Sequence, residues 1–392
     1  MSTARPLPHA PVTTRWVRDR AGFEALQADW NRLCATMPQA TVFQRHEWFS
    51  AAWQWQRHSH ALAIVVIESA GVPIGIAPLA STRVSGGRCL PAVRVMEFVQ
   101  VPDTQRCDLL AAPPDLPVVA TALAAALRSA PADWDELRLG LLAADSPTAT
   151  ALTSALAAAG LRPACQATGP NPLIDLRGTW QDYYAGRSRR LKKGNNLIAN
   201  HLQKAGAVEL QHCAGVMDTA QADRLLDTLT AVSAKSWKQR TGNTLDQAGP
   251  QAFFAALTRA AAAQGWLSVW LLRLNEQVIA TEYHLRFGGR LHALRSDFDP
   301  AYEALSPGTY LNWKVLEASF ACGQTQYFFG PGDNPYKRRW AQDGLSLSTL
   351  RAWSPSGRGR LRHLWHQRLR PWAKRLLRRI PEPTPTDSPQ DS

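Results

Sequence analysis

Between Trp266 and Asp297 the chain changes period. Apolar and polar residues alternate at a spacing of two through Trp266–Leu274, Gln277–Phe287 and Arg290–Asp297, joined by Asn275-Glu276 and Gly288-Gly289. Period two sends successive side chains to opposite faces of a sheet, and a Gly-Gly pair supplies the positive φ angles of a two-residue hairpin turn. The segment reads as a three-stranded meander. With Gly288-Gly289 as the turn, Phe287 faces Arg290, His284 faces Ala293, Glu282 faces Arg295 and Ala280 faces Asp297. That register gathers Glu282, His284, Arg286, Arg295 and Asp297 on one face, and Tyr283, Leu285, Phe287 and Leu294 on the other as core. The polar face can supply a general base, His284 by its ordinary pKa near neutrality and Glu282 as a carboxylate held ionised by Arg295. Its plainer reading is a solvated face with one cross-strand ion pair.

The next segment makes the meander part of something larger. Ser306-Pro307-Gly308-Thr309 opens a helix that runs from Tyr310 to Cys322, with Ser as N-cap and Pro in the first turn. Gly308 lets a ligand approach the backbone closely, and the N–H groups of Gly308, Thr309 and Tyr310 form a potential anion site. The apolar strand Tyr327-Phe328-Phe329 follows directly, so strand, helix and strand make a crossover expected to be parallel.

Upstream, Gln44–Gln56 is a Trp-rich helix, and Ala61–Ile67 and Val72–Ala80 are strands turned at Ser69-Ala70-Gly71. Ala-rich helices near Pro117–Ser129 and Ser146–Ala159 flank the strand Glu136–Leu142. Such alternation predicts an α/β lobe. Ala63–Ala80 and Trp270–Arg286 share one plan at an offset of 205 residues, which fits either a duplicated lobe, explaining the length, or two unrelated hairpins of a common type. The expected division is a disordered 1–14, an N-terminal lobe over 15–176, a C-terminal lobe over 177–354, a basic tail over 355–380 and a disordered 381–392.

Composition excludes several classes. At 45% hydrophobic and 19% charged residues the chain is globular. Its six cysteines show no metal-ligand spacing, so no metal is expected and the thiols read as reduced. No secretory leader and no apolar run of membrane-spanning length occur, which predicts a cytoplasmic location.

Ser236-Trp237-Lys238, Ser306-Pro307-Gly308 and Gly332-Asp333-Asn334-Pro335-Tyr336-Lys337-Arg338-Arg339-Trp340 carry a resemblance. With the order of strands and helix around them, they resemble the GNAT acyltransferases, in the branch named after the cellulose-biosynthesis protein CelD, related to the two-lobed FemAB-type aminoacyl transferases. The likeness covers roughly residues 40–350. It implies two GNAT-like lobes, each a mixed sheet flanked by helices. It also implies acyl-CoA, acetyl-CoA in the first instance, lying between the strands 290–297 and 326–330 with its phosphates against Ser306, Gly308, Thr309 and Tyr310. The base candidates are then His284, Glu282 and Asp333, and the substrate-binding candidates Trp237, Lys238, Arg295, Tyr336, Lys337 and Trp340. The superfamily's usual loop, Gln/Arg-x-x-Gly-x-Gly/Ala, is absent, which leaves an acyl carrier or an aminoacyl-tRNA as further donors. The implied acceptor is a small or glycan-type molecule of the cell envelope or an exopolysaccharide; a non-catalytic assembly factor in polysaccharide synthesis is the non-enzyme alternative.

Two basic segments remain. Arg187, Arg189, Arg190, Lys192 and Lys193 open a helix with a wide polar face and no interleaved aromatics, so DNA is not an expected partner. From Gly357 to Ile380 nine Lys/Arg face away from Leu361, Leu364, Trp365, Leu369, Trp372, Leu376, Leu377 and Ile380. That is the pattern of a basic amphipathic helix on an anionic membrane surface, reached through residues 358–380, the alternative being a helix that docks on a protein partner.

Overall fold

The computed structural model describes residues 11–85, 92–341 and 343–366. The first half of the chain supplies β1 (Val12–Val17), α1 (Arg20–Ala25), α2 (Gln27–Ala35), α3 (His46–Gln56), β2 (His60–Leu62), β3 (Ile64–Ser69), β4 (Val72–Ala77) and β5 (Leu79–Val84). It continues with β6 (Val93–Phe98), β7 (Leu110–Ala111), α4 (Leu116–Ser129), β8 (Glu136–Ala143), α5 (Pro147–Ala158) and β9 (Ala164–Asp175). The second half supplies α6 (Trp180–Ala185), α7 (Arg189–Ala205), β10 (Val208–Ala214), α8 (Thr219–Ser233), α9 (Ala248–Ala263), β11 (Leu267–Leu274) and β12 (Gln277–Phe287). It closes with β13 (Arg290–Phe298), α10 (Pro307–Ser319), β14 (Gln326–Phe328), α11 (Pro335–Trp340), β15 (Asp343–Trp353) and α12 (Gly357–Leu364).

The two halves repeat one plan. β5 is antiparallel to β6, which runs parallel to β8; β12 is antiparallel to β13, which runs parallel to β14. The parallel steps are bridged by α4 in the first half and α10 in the second. Each lobe is thus a mixed sheet flanked by helices, the expected α/β class.

The lobes nevertheless share one sheet. Eleven strands run in the order β10-β11-β12-β13-β14-β9-β15-β8-β6-β5-β2, beside a smaller sheet β1-β3-β4-β7. The closing strands are exchanged. β9, from the first half, pairs with β14 of the second; β15, from the second, pairs with β8 of the first; and β9 and β15 pair with each other. The division at 176 falls at the end of β9, where the chain changes halves but the sheet does not break. The packing is shared as well. Phe43 and Trp48 lie in one apolar cluster with Phe253, Phe254 and Tyr283, with the rings of Trp48 and Phe253 5.2 Å apart. Each such buried ring contributes roughly 1.5–3 kcal/mol relative to exposure, and here the gain exists only when both lobes are present.

β9 sits mid-sheet although it contains Pro170 and Pro172. In a strand the N–H and C=O of one residue point to the same side. The carbonyls of these two prolines accept from Gly332 and Phe329, in the segment where the chain beyond β14 leaves the ladder. Their missing N–H groups face that same departing segment, so no regular ladder bond is lost.

The Gly288-Gly289 turn forms with φ of +56° and +75°. Phe287 faces Arg290 and His284 faces Ala293, but the register then slips: Tyr283 faces Arg295, Glu282 faces Ser296, Thr281 faces Asp297 and Ala280 faces Phe298. Leu294 is the bulged residue. A one-residue slip turns every side chain beyond it to the other face. The expected Glu282–Arg295 pair therefore does not form, and Arg295 and Asp297 lie on the sheet face opposite Glu282 and His284.

Of the basic tail, α12 packs back on the protein, where Arg362 donates to the buried Glu136 at 3.1 Å. Leu361 and Leu364 are exposed. Leu369, Trp372, Leu376, Leu377 and Ile380, on which the amphipathic reading of 358–380 rests, lie outside the described residues, as do most of 1–14 and all of 381–392. No helix among the described residues is long and apolar enough to cross a membrane.

Candidate active site

β13 and β14 stay paired for three residues only, ending at His292 and Phe328. Beyond that, β13 continues to Phe298 while the other chain turns away at Gly330, whose φ of +83° suits glycine. The strands splay, and the gap is a cavity of about 580 Å³. Leu294, Ser296 and Phe298 line it from β13, Glu282 from β12, and Ser306, Pro307, Gly308 and Thr309 from the start of α10. Asn334, Tyr336, Lys337, Arg339 and Trp340 close the far side, Leu191 of α7 borders it, and Trp237 and Lys238 stand across it.

Glu282 is 2% exposed and His284 is fully buried behind it. His284 Nε2 lies 3.2 Å from Glu282 Oε2 and 3.0 Å from the Tyr327 hydroxyl, within hydrogen-bonding distance of both. Glu282 Oε1 has no partner. A buried carboxylate oxygen without a donor, facing a cavity, is a site for a substrate N–H or O–H. Burial pushes the Tyr327 phenol well above its ordinary pKa, so it remains a neutral hydroxyl.

Lys337 is buried, with Nζ donating to the carbonyls of Gly330 at 2.7 Å and Pro331 at 3.1 Å. Burial lowers its pKa to about 8. Trp340 forms the floor, its carbonyl accepting from Tyr183 Oη at 2.6 Å and Arg187 Nη1 at 2.8 Å. Trp237 and Tyr336 are 53% and 46% exposed and present aromatic surface to the opening.

Three expected residues lie elsewhere. Asp333 is on the surface, paired with Arg338 at 2.5 Å, and does not line the cavity. Tyr310 points into the core beneath α10. Arg295, on the opposite sheet face, lies over the Phe254 ring and 3.4 and 3.7 Å from Asp297 and Asp103. Burial raises the pKa of Asp103 against the pull of Arg295. Lys238 joins this group, 2.9 Å from Asp297, while donating to the Ser296 carbonyl. Burial lowers its pKa, opposed by Asp297.

The first half contributes where no sequence signal pointed. Gln105 Nε2 donates to the carbonyl of Ala293, next to the last paired residue of β13, at 2.7 Å. The matching splay between β6 and β8 is filled instead by the first lobe's own chain, with Cys107 N–H donating to the Leu141 carbonyl at 3.0 Å and Val99, Val101 and Leu109 buried beside it. About 10 Å³ is left next to it. Among the described residues, the splay of the first lobe is thus closed, while that between β13 and β14 is open.

The cavity suits a thioester arm better than a diphosphate. Thr309 and Tyr310 both donate to the Ser306 carbonyl, and Ser306 itself, at φ +50°, makes no side-chain cap. The amides of Ala301, Tyr302 and Ser306 are also used internally, and Pro300 and Pro307 have none. Of the three amides expected to hold phosphate only Gly308 remains, and the Glu303 carboxylate lines the same region. Among the described residues no group of three or more metal-ligating side chains comes together.

Residues 195–338 match the family model described as an acetyltransferase (GNAT) domain. No curated protein matches the chain in sequence. Among solved structures, it is similar to a conserved protein of unknown function from Bacteroides thetaiotaomicron, at 10% identity and a TM-score of 0.53, over 87% of this chain and all of that one. It is also similar to FemX, at 11% identity and a TM-score of 0.50, over 86% and 96%. A tandem GNAT protein from the clavulanic acid biosynthesis pathway aligns at 13% identity and a TM-score of 0.49, over 88% and 100%. At these identities the likeness is one of fold alone. Residues 195–338 hold the splayed strands and most of the cavity lining, so the match and the geometry together support an acyltransferase.

Proposed function

We propose that the chain transfers an acyl group from a pantetheine thioester to an amine or hydroxyl, with Glu282 as general base. The unpartnered Glu282 Oε1 in the cavity carries this reading. The thioester lies between the splayed strands and the acceptor beside Glu282. Glu282 takes the acceptor's proton as nitrogen or oxygen attacks the carbonyl carbon, the C–S bond breaks, and the proton ends on the departing thiolate. Positioning supplies most of the rate and no covalent enzyme intermediate is needed. His284 acts through Glu282 by holding Oε2, so that Oε1 points to substrate. Trp237, Lys238, Tyr336, Lys337 and Trp340 shape the acceptor side. Asp333 has no part in this reading.

A GNAT domain implies acyl-CoA use in general. Acetyl-CoA as donor and a cell-envelope or exopolysaccharide precursor as acceptor are supported by the resemblance in Ser306-Pro307-Gly308 and Tyr336–Trp340. Peripheral association with an anionic membrane through 358–380 rests on the sequence pattern of the tail; equal liposome binding after truncation at Pro355 overturns it. Aminoacyl transfer from tRNA is the second reading, favoured by the amides already spent around Ser306. The deciding assay is acceptor-dependent release of free thiol from acetyl-CoA, longer acyl-CoAs and S-acyl-pantetheine, with charged tRNA as the other arm. Release by wild type and its loss in Glu282→Gln supports the proposal. No release from any thioester overturns it.

A further inference from the structure

We infer that the acyl group is delivered by an acidic carrier protein, on a phosphopantetheine arm, docked on α7 beside the cavity. This deepens the acyl-transfer reading and rests on it. From Tyr183 to Val208 the chain holds no acid, while Arg187, Arg189, Arg190, Lys192 and Lys193 fall within seven residues. Arg189, Arg190 and Lys193 are exposed and have no acidic partner among the described residues.

Folding does not account for these charges. Leu191 and Leu202 seat α7 in the core beside α10. The cations crowd the helix's first two turns, where the macrodipole is already positive, and positive charge there costs up to about 1 kcal/mol per residue. A surface that gives up stability in this way is explained by a partner of opposite charge.

Location and chemistry select that partner. Leu191, between Arg190 and Lys192, lines the cavity, and Arg187 holds the carbonyl of Trp340 at its floor. Free CoA brings a diphosphate, which meets spent amides and Glu303 around the start of α10. A carrier-bound arm presents one phosphodiester and leaves the remaining negative charge on the carrier's own surface, where α7 can meet it. Leu197, 52% exposed in this helix, offers an apolar contact within the charged surface. Nucleic acid fits less well, because α7 carries no aromatic for stacking, and Tyr184 of the preceding helix stacks on Trp180. The reaction is unchanged, with the carrier's pantetheine thiol as leaving group.

The test compares one acyl group on acyl carrier protein, on CoA and on S-pantetheine, with charged tRNA alongside, using the full chain. The carrier is expected to show a KM at least tenfold below that of CoA, rising steeply between low and high salt. Arg189→Glu, Arg190→Glu and Lys193→Glu together should raise the carrier's KM at least thirtyfold while leaving S-acyl-pantetheine turnover unchanged and raising Tm, since the cations no longer oppose the helix dipole. Acyl-CoA used as well as the carrier, with the triple variant unaltered, overturns this proposal and leaves acyl transfer standing. Preference for charged tRNA also overturns it. Failure of all three thioesters overturns the acyl-transfer reading and this one with it.

Discussion

Gln105 and Ala293 are 188 residues apart, yet the Gln105 side-chain amide donates to the Ala293 carbonyl at 2.7 Å, where β13 and β14 part. The same amide's oxygen lies 3.2 Å from His292 Nδ1. Gln105 thus ties a loop of the cleft-less lobe to the back of the working one. Gln105→Ala leaves a buried carbonyl and a buried imidazole N–H unmatched, which costs about 1–3 kcal/mol. Urea unfolding should show that loss, and thiol release should fall because the splay behind Leu294 loosens. A variant with unaltered stability contradicts the role.

Glu282→Gln keeps the shape of the site but removes the proton acceptor. A general base contributes typically 10²–10⁴-fold, so kcat should fall by about that factor with Tm little changed. His284→Asn should fall less, since it disturbs Glu282 without removing it. Because His284 acts through Glu282, the His284→Asn change should shift the acid limb of the pH–rate profile, whereas a merely structural role would leave that limb in place. Asp333→Asn, on the surface beside Arg338, should be neutral.

How much of this was legible in sequence differs along one hairpin. The Gly288-Gly289 turn fixed the pairs nearest to it, because turn chemistry is local. The bulge at Leu294 was not legible, since an apolar residue suits a core face and a cavity wall equally. The unslipped register puts Arg295 on the face of Glu282, and the resemblance counts it with the substrate-binding candidates; in the fold Phe254, Asp297 and Asp103 enclose it, and Asp103 comes from a loop that no period connects to β13. Pro170 and Pro172 hid β9 for the same kind of reason, since their tolerance depends on a neighbouring strand having left the sheet. Glu282 and His284 are legible because period two puts them on one face of the same strand, and no bulged residue of β12 lies between them.

The exchange of β9 and β15 predicts that the halves cannot be separated. Expressed alone, 15–176 and 177–354 each expose an unpaired strand and half of a shared core. Both should be insoluble, while co-expression should restore a complex with thiol-releasing activity. A soluble, cooperatively unfolding 177–354 is the result that contradicts this.

Stability should fall in acid in a way assignable to His292. Burial, then the charges of Arg290 and Arg106, lowers its pKa to about 3 from an ordinary 6.5. The unfolded chain takes up this proton first as pH falls. The contribution is therefore present above pH 6.5 and is lost progressively toward pH 3, on the order of 5 kcal/mol at full extent. His292→Gln should flatten the Tm profile between those limits. The part that persists should reflect groups such as His212, which burial lowers to about 4.

Lys337 gives the opposite edge of the profile. Its pKa of about 8 lies below the ordinary 10.5, with burial as the cause. Between those values the unfolded chain holds a proton that the folded one has released, so folding gains stability as pH rises through the window. In Lys337→Met that gain is absent. Whatever the offset at pH 7, which includes the lost bonds to Gly330 and Pro331, the wild type should gain on the variant by roughly 1–3 kcal/mol between pH 8 and pH 10. Over the same range the cavity loses a positive charge. Lys337 lies on the acceptor side, so KM for an anionic acceptor should rise in wild type from pH 8 upward and stay flat in the variant. Parallel stability curves for the two proteins would show that the ammonium is solvated rather than buried in the cavity wall.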